Sequence, residues 1–163
     1  MNATTVDTFE FSRLGEQRSG VTPVASFGRL SAEAADAGGE LRWSFSGGKH
    51  RMGFSQLIMK VDGEVGLICQ RCLSPFRHPI DSETVLVLAR DDADADEVEQ
   101  KLDDESIDVI VGSAAQDLLQ LVEDEVLLEM PLSPRHTSCP GDAPQVAPDK
   151  RESPFAVLKK LNS

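Results

Sequence analysis

Apolar and polar side chains alternate along much of the first ninety residues, and that period of two predicts strands. The segment "VDTFEFS" (6–12) alternates in this way, and "ELRWSFSG" (40–47) puts Leu41, Trp43 and Phe45 on one face. "FSQLIMKVDGEVGLIC" (54–69) reads as two strands around Asp62-Gly63, a dipeptide suited to tight hairpin turns. Gly47-Gly48 suits another turn, before the basic tip Lys49-His50-Arg51, while "SAEAADAGG" (31–39) reads as loop or weak helix. "TVLVLAR" (84–90) is β-branched at Thr84, Val85 and Val87, and "IDVIVG" (107–112) has strand character again. Successive strands with short turns predict an antiparallel sheet.

The pattern changes period after residue 112. From about Ser113 to Met130, Ala115, Leu118, Leu119, Val122 and Val126 recur at helical spacing, and Pro131 ends the run. Asp117 and Asp124 fall on the side away from that stripe. Glu125 and Glu129 fall between the stripe and the Leu121/Leu128 flank, where a carboxylate reaches water, pairs with an arginine or marks a site. The expected fold class is α+β: a mainly antiparallel β-sheet packed against one long helix, with an acidic mobile loop and a short C-terminal helix. The 163 residues form a single domain in this reading. Within it, 91–106 is the acidic loop, with or without a short helix, 140–153 is a loop and 153–163 is a tail segment. Ser153 and Pro154 suit the start of that tail helix, and Phe155, Leu158 and Leu161 share one of its faces.

Charge sharpens this picture. The net charge is −12, but residues 1–90 hold ten acids and ten bases, whereas 91–129 hold fifteen acids and one base, Lys101. Such a middle segment opposes binding of a polyanion through that face. It is either a solvated, solubilising segment or a surface that attracts a basic partner. Arg42, Lys49, Arg51, Lys60, Arg71 and Arg77 lie in the neutral part and form a basic patch only if the sheet gathers them. The start of the chain lacks a basic stretch followed by an apolar run, and no window approaches eighteen apolar residues, so a cytoplasmic protein without membrane contact is expected.

Candidate chemistry is confined to the cysteines. Cys69 and Cys72 stand two residues apart in "LICQRCLSPF", and His136 and Cys139 have the same spacing in "HTSC". Together they have the ligand types and number for a tetrahedral zinc site. The competing readings are a buried apolar turn that happens to contain thiols and a redox pair. A preceding strand and Pro75 argue against the helix-opening context of a redox pair. No phosphate loop, dinucleotide fingerprint or nucleophile elbow is present, so no catalytic residue is assigned and an enzyme is not expected.

Several segments together resemble the YceD family. "LICQRCLSPFRHPI" (67–80) resembles its Cys-x-x-Cys hairpin segment, and "DLLQLVEDEVLLEMPLSPRH" (117–136) its acidic-apolar helix and the Pro-containing stretch after it. "HTSC" (136–139) is similar to a His/Cys loop, and "SPFAVLKKL" (153–161) to a Pro-Phe-Ala-x-Leu tail. The resemblance runs over residues 60–161 and implies a factor needed for synthesis, processing or stability of large-subunit (23S) ribosomal RNA. It also implies a link with the small basic large-subunit protein L32, through gene neighbourhood in the family. Combined with the charge, the expectation is a non-enzymatic assembly factor that holds a basic ribosomal protein. Glu123, Asp124, Glu125 and Glu129 are the candidate contacts, with Arg71, Arg77, Phe155 and Leu158 as further partner-binding residues. The alternatives are direct binding of rRNA or a pre-ribosome, and a zinc-stabilised protein-interaction domain.

Overall fold

A computed structural model describes residues 3–139. The elements in chain order are β1 (Thr5–Val6), α1 (Thr8–Leu14), β2 (Gln17–Pro23), a 3-10 turn (Val24–Ser26), α2 (Gly28–Glu33), β3 (Glu40–Lys49) and β4 (Ser55–Ile68). There follow β5 (Pro75–Ala89), α3 (Asp92–Leu102), β6 (Ile107–Val111), β7 (Gln116–Asp117) and α4 (Leu118–Glu129). One sheet has the order β2-β3-β4-β5-β6, and β1 pairs with β7 in a small second sheet.

The five-stranded sheet is mixed, which corrects the expected mainly antiparallel sheet with one long helix. Strands β2 to β5 are antiparallel, but β6 runs parallel to β5. The reason lies in the acidic segment, which is the crossover helix α3 and not a mobile loop. Asp91 caps α3 by accepting from the Asp94 N–H at 2.8 Å, Asp92 and Asp94 sit in its first turn, and Lys101 sits in its last. That placement of charge follows the helix dipole. Val98 anchors the helix in the core.

Helix α4 is also shorter than its periodicity suggests. Residues 116–117 pair with β1, and the Ser113 N–H and C=O bond the Thr8 hydroxyl at 2.9 and 3.2 Å. Asp117 then caps α4 by accepting from the Leu119 N–H at 3.0 Å. Of the expected face, Leu118, Val122 and Val126 are fully enclosed and Leu119 is partly buried, whereas Ala115 is exposed and precedes the helix. The predicted strand at 6–12 is instead the helix α1. Asp7 accepts from the Phe9 and Glu10 N–H groups, and Gly15 closes the other end in the left-handed conformation (φ 63°). Thr8, Phe11 and Ser12 are its buried residues, spaced as one helical face.

The longest feature is the β4–β5 hairpin. Its register runs from Gln56↔Val87 to Ile68↔Pro75 without a break, so the strand passes straight through Asp62-Gly63. Leu57, Met59, Val61, Val65 and Leu67 hold one buried face along that length. A turn at 62–63 would give up half of this face. Gly63 lies opposite Leu41 with φ 154°, and a Cβ there would stand 2.5 Å from the Glu40 carbonyl oxygen. The reversal occurs at 69–74, inside the Cys-x-x-Cys segment. Gly47-Gly48 likewise stays within β3. The short C-terminal helix expected at 153–163, with Phe155 and Leu158, lies outside the described residues.

One carboxylate ties α4 to α2. Glu123, only 8% exposed, accepts from the backbone N–H groups of Arg29 and Leu30 at 2.7 and 2.9 Å and from the Arg29 guanidinium at 3.0 and 3.1 Å. Burial opposes its ionisation, but the Leu30 and Arg29 N–H groups and the guanidinium outweigh that and hold its carboxyl below the usual range. Glu123→Leu should therefore lower stability by about 2–4 kcal/mol in urea unfolding, because two backbone donors lose their acceptor. The stabilisation by the lowered carboxyl is present above the ordinary glutamate pKa of about 4.3 and is lost as pH falls through the lowered value. The wild type should lose stability in that acid range more steeply than the variant, and equal pH profiles would contradict this account.

Candidate functional site

At the far end of the β4–β5 hairpin the chain makes a tight turn. The Cys69 N–H donates to the Ser74 carbonyl at 3.0 Å, and the Leu73 N–H to the Cys69 carbonyl at 2.8 Å, with Leu73 at φ 60°. The segment after α4 is fastened to this turn by the Gln70 N–H, which donates to the Pro134 carbonyl at 2.8 Å. That bond brings residues 136–139 over the two cysteines. The donor atoms of Cys69, Cys72, His136 and Cys139 all lie within 4.8 Å of one another.

Two of the distances inside the cluster are close to those of a metal's donor shell. Cys69 Sγ and Cys139 Sγ are 3.7 Å apart, and Cys72 Sγ is 3.3 Å from His136 Nδ1. A tetrahedron with Zn–S bonds of about 2.3 Å sets its sulfurs about 3.8 Å apart, and a sulfur and an imidazole nitrogen about 3.6 Å apart. Cys69 and Cys139 are buried, and Phe76 packs on the His136 ring with centroids 4.7 Å apart. The His136 N–H also points to Cys69 Sγ at 3.5 Å.

Electrostatics favour one thiolate and resist a second. Burial opposes ionisation of Cys69, but the backbone N–H groups of Cys72, His136 and Arg71 overcome it and bring the thiol to about 5. Cys139 is pushed up to about 11 by burial and by the neighbouring Cys69 and Cys72 sulfurs. A dication removes that conflict, since it stabilises several thiolates at once. The set of three sulfurs and one imidazole therefore fits a four-coordinate metal. All four positions come from the chain, which is the closed arrangement of structural sites.

The acidic residues form a second feature, where α3, β6 and α4 meet. A groove of about 530 Å³ has Met59, Leu86, Ile110 and Leu121 in its lining and seven carboxylates, among them Glu99, Glu105, Asp108 and Glu125. Leu128 stands at its edge, 80% exposed. The expected contact residues divide. Glu123 is committed internally to Arg29 and α2, so it is not an open surface acid. Asp124 lies in the groove and pairs with Arg29 at 2.7 Å. Glu125 accepts from Ser82 and from Thr84 at 2.8 Å, and Glu129 is exposed. Arg71 is exposed on the cysteine turn, and Arg77 pairs with Asp36 at 3.5 Å.

The basic residues of the sheet do not make an open patch. Arg42 pairs with Asp62, and Lys60 with Glu83 at 2.9 Å. Lys49 and Arg51 lie at one end of the sheet and Arg71 at the other. Sequence reading missed Arg29 as the partner of Glu123, 94 residues away, and missed the groove itself. The apolar positions Leu102, within the acidic run, and Ile107 and Ile110, just after it, were the available signal for the groove.

An α+β protein with three cysteines and a histidine clustered at a hairpin tip and an acidic groove on its helical side is thus defined. The family model described as "Large ribosomal RNA subunit accumulation protein YceD" matches residues 57–162, well over half of the chain, and the chain belongs to the YceD family. It is 34% identical over 114 residues to the large ribosomal RNA subunit accumulation protein YceD of Haemophilus influenzae. That alignment covers 63% of this chain and 62% of the relative, so the match spans less than two thirds of the relative's length. No solved structure matches the chain. Among the described residues no helix is long and apolar enough to cross a membrane.

The four-donor cluster should take up one Co²⁺ per reduced chain with the absorption of a tetrahedral thiolate site. Cys139→Ser should weaken uptake by tenfold or more, and wild-type affinity should fall as pH is lowered, because protons compete for the sulfurs. Six-coordinate spectra or pH-independent uptake would contradict the proposed donor set.

Proposed function

We propose that this chain is a non-enzymatic cytoplasmic factor that supports accumulation of large-subunit rRNA by holding a basic large-subunit ribosomal protein. The carrying observation is the segregation of charge. Fifteen acids and one base fall within residues 91–129, and part of that acidity surrounds a groove with apolar side chains in its lining. A solvated, merely solubilising surface has no need of such a lining. Lysines and arginines of the client meet Asp124, Glu125 and Glu129, together with Glu99, Glu105 and Asp108 on the neighbouring elements. Apolar client side chains meet Leu121 and Leu128. Exposed charge of this kind sets association rate and salt dependence, while the apolar contacts slow release. The name of the family supports the link to rRNA, and the client protects rRNA indirectly by reaching the assembling subunit.

Zinc is the resident metal in this reading, held by Cys69, Cys72, His136 and Cys139. Its role is to fix residues 131–139 against the hairpin tip and to hold several thiolates together. With no open coordination position, it has no substrate to activate. The ion pairs Arg42–Asp62 and Lys60–Glu83 weaken the alternative of direct RNA binding through the sheet.

The triple variant Glu105→Lys/Asp108→Lys/Glu129→Lys changes exposed carboxylates only. It should lower affinity for isolated basic large-subunit proteins more than tenfold at low salt and reduce large-subunit rRNA in cells that depend on it. Unchanged binding and unchanged rRNA would overturn the proposal. Metal analysis of the purified chain should find about one zinc per chain, absent from the Cys72→Ser/His136→Ala variant. A metal-free chain with all three thiols titratable would overturn the zinc assignment.

A further inference from the structure

The acidic groove has a complementary sequence on the same chain. Residues 150–163 hold Lys150, Arg151, Lys159 and Lys160 against one acid, Glu152. Phe155, Leu158 and Leu161 recur every third residue, the spacing of one helical face, with Lys159 at its edge. The described groove offers the opposite pattern, with Met59, Leu86, Ile110 and Leu121 in its lining, the exposed Leu128 at its edge and seven carboxylates around them. We infer that residues 153–161 occupy this groove in cis when no client is bound, as a competitor for the client site.

The lengths permit it. The described chain ends at Cys139, beside Cys69 at one end of the hairpin. Met59 lies ten residues back along β4, about 33 Å away at the rise of a strand. The thirteen residues 140–152 reach up to about 43 Å when extended. The cluster of Cys69, Cys72, His136 and Cys139 fixes where this tether starts, so the hairpin tip sets the reach of the tail. A helix so short is marginal in isolation. Tethering compensates, because a short linker supplies an effective concentration on the order of millimolar. An intrinsic affinity of about 0.1 mM then fills the groove roughly ten to one and weakens a competing client about tenfold. A client rich in lysine and arginine, with apolar residues on one helical face, displaces the tail by presenting the same chemistry.

The inference adds regulation to the groove assigned above to a client, and its test needs no client. Benzoylphenylalanine is placed at Leu158 in the full chain, the purified dilute protein is irradiated, and products are mapped by mass spectrometry. Intramolecular cross-links to residues 102–110, Leu121 or Leu128 are expected. They should be lost in Glu105→Lys/Asp108→Lys with the circular dichroism unchanged. Cross-links to the apolar groove around Arg29, Leu127 and Leu132, cross-links between chains, cross-links that survive the charge reversal, or none above the unirradiated control would each overturn it. Groove cross-links in a protein that retains no basic client would uphold this inference while overturning the client proposal.

Discussion

The register of β4 against β5 is the constraint on which the other features depend. Thirteen residues of β4 pair in sequence with β5, and five large side chains on β4 face the core along that length. A slip by one residue would turn Leu57, Met59, Val61, Val65 and Leu67 to solvent together, so the register is fixed by a large penalty. That same alternation carries Cys69 to the buried side at the end of the strand. It also places Met59 and Leu86 beneath the acidic groove at the opposite end. The hairpin thus separates the Cys/His cluster from the acidic groove.

Acidic side chains in this molecule do two different things, and the distinction is one of desolvation. Glu123 is buried and accepts four hydrogen bonds, so its charge is consumed in joining α4 to α2. Glu99, Glu105, Asp108 and Glu129 remain exposed, where a charge costs little and acts at a distance. Only the second group is suited to steer a basic partner. The knuckle shows a comparable division: Cys69 is poised as a thiolate by backbone donors, whereas Cys139 resists ionisation beside it. Each arrangement concentrates acidic groups whose charged forms a cation would stabilise.

Much of this was legible in the sequence where a local pattern decides the outcome. The alternation at Leu41, Trp43 and Phe45 is the buried face of β3, and Leu118, Val122 and Val126 are the buried face of α4. The two Cys/His pairs come together because only the fold closes the distance between them, and their matching spacing was the signal. The failures have a common form. At residues 6–12 alternation pointed to a strand, but caps at Asp7 and Gly15 made a helix. At 91–106 the density of charge masked an N-cap at Asp91 and a single buried anchor, Val98, and so the crossover that makes β6 parallel was missed. At Asp62-Gly63 a favourable turn dipeptide lost to an apolar face that continues on both sides of it. Tertiary pairings such as Arg29 with Glu123 left no local trace at all.

The most direct test of the central claim is affinity capture of the tagged full chain from native cytoplasm, at low and high salt and with and without nuclease. The account predicts a basic large-subunit protein that stays bound after nuclease treatment and leaves as salt is raised. Recovery that vanishes with nuclease would contradict it, because contact would then run through RNA and the acidic groove would not be the docking surface.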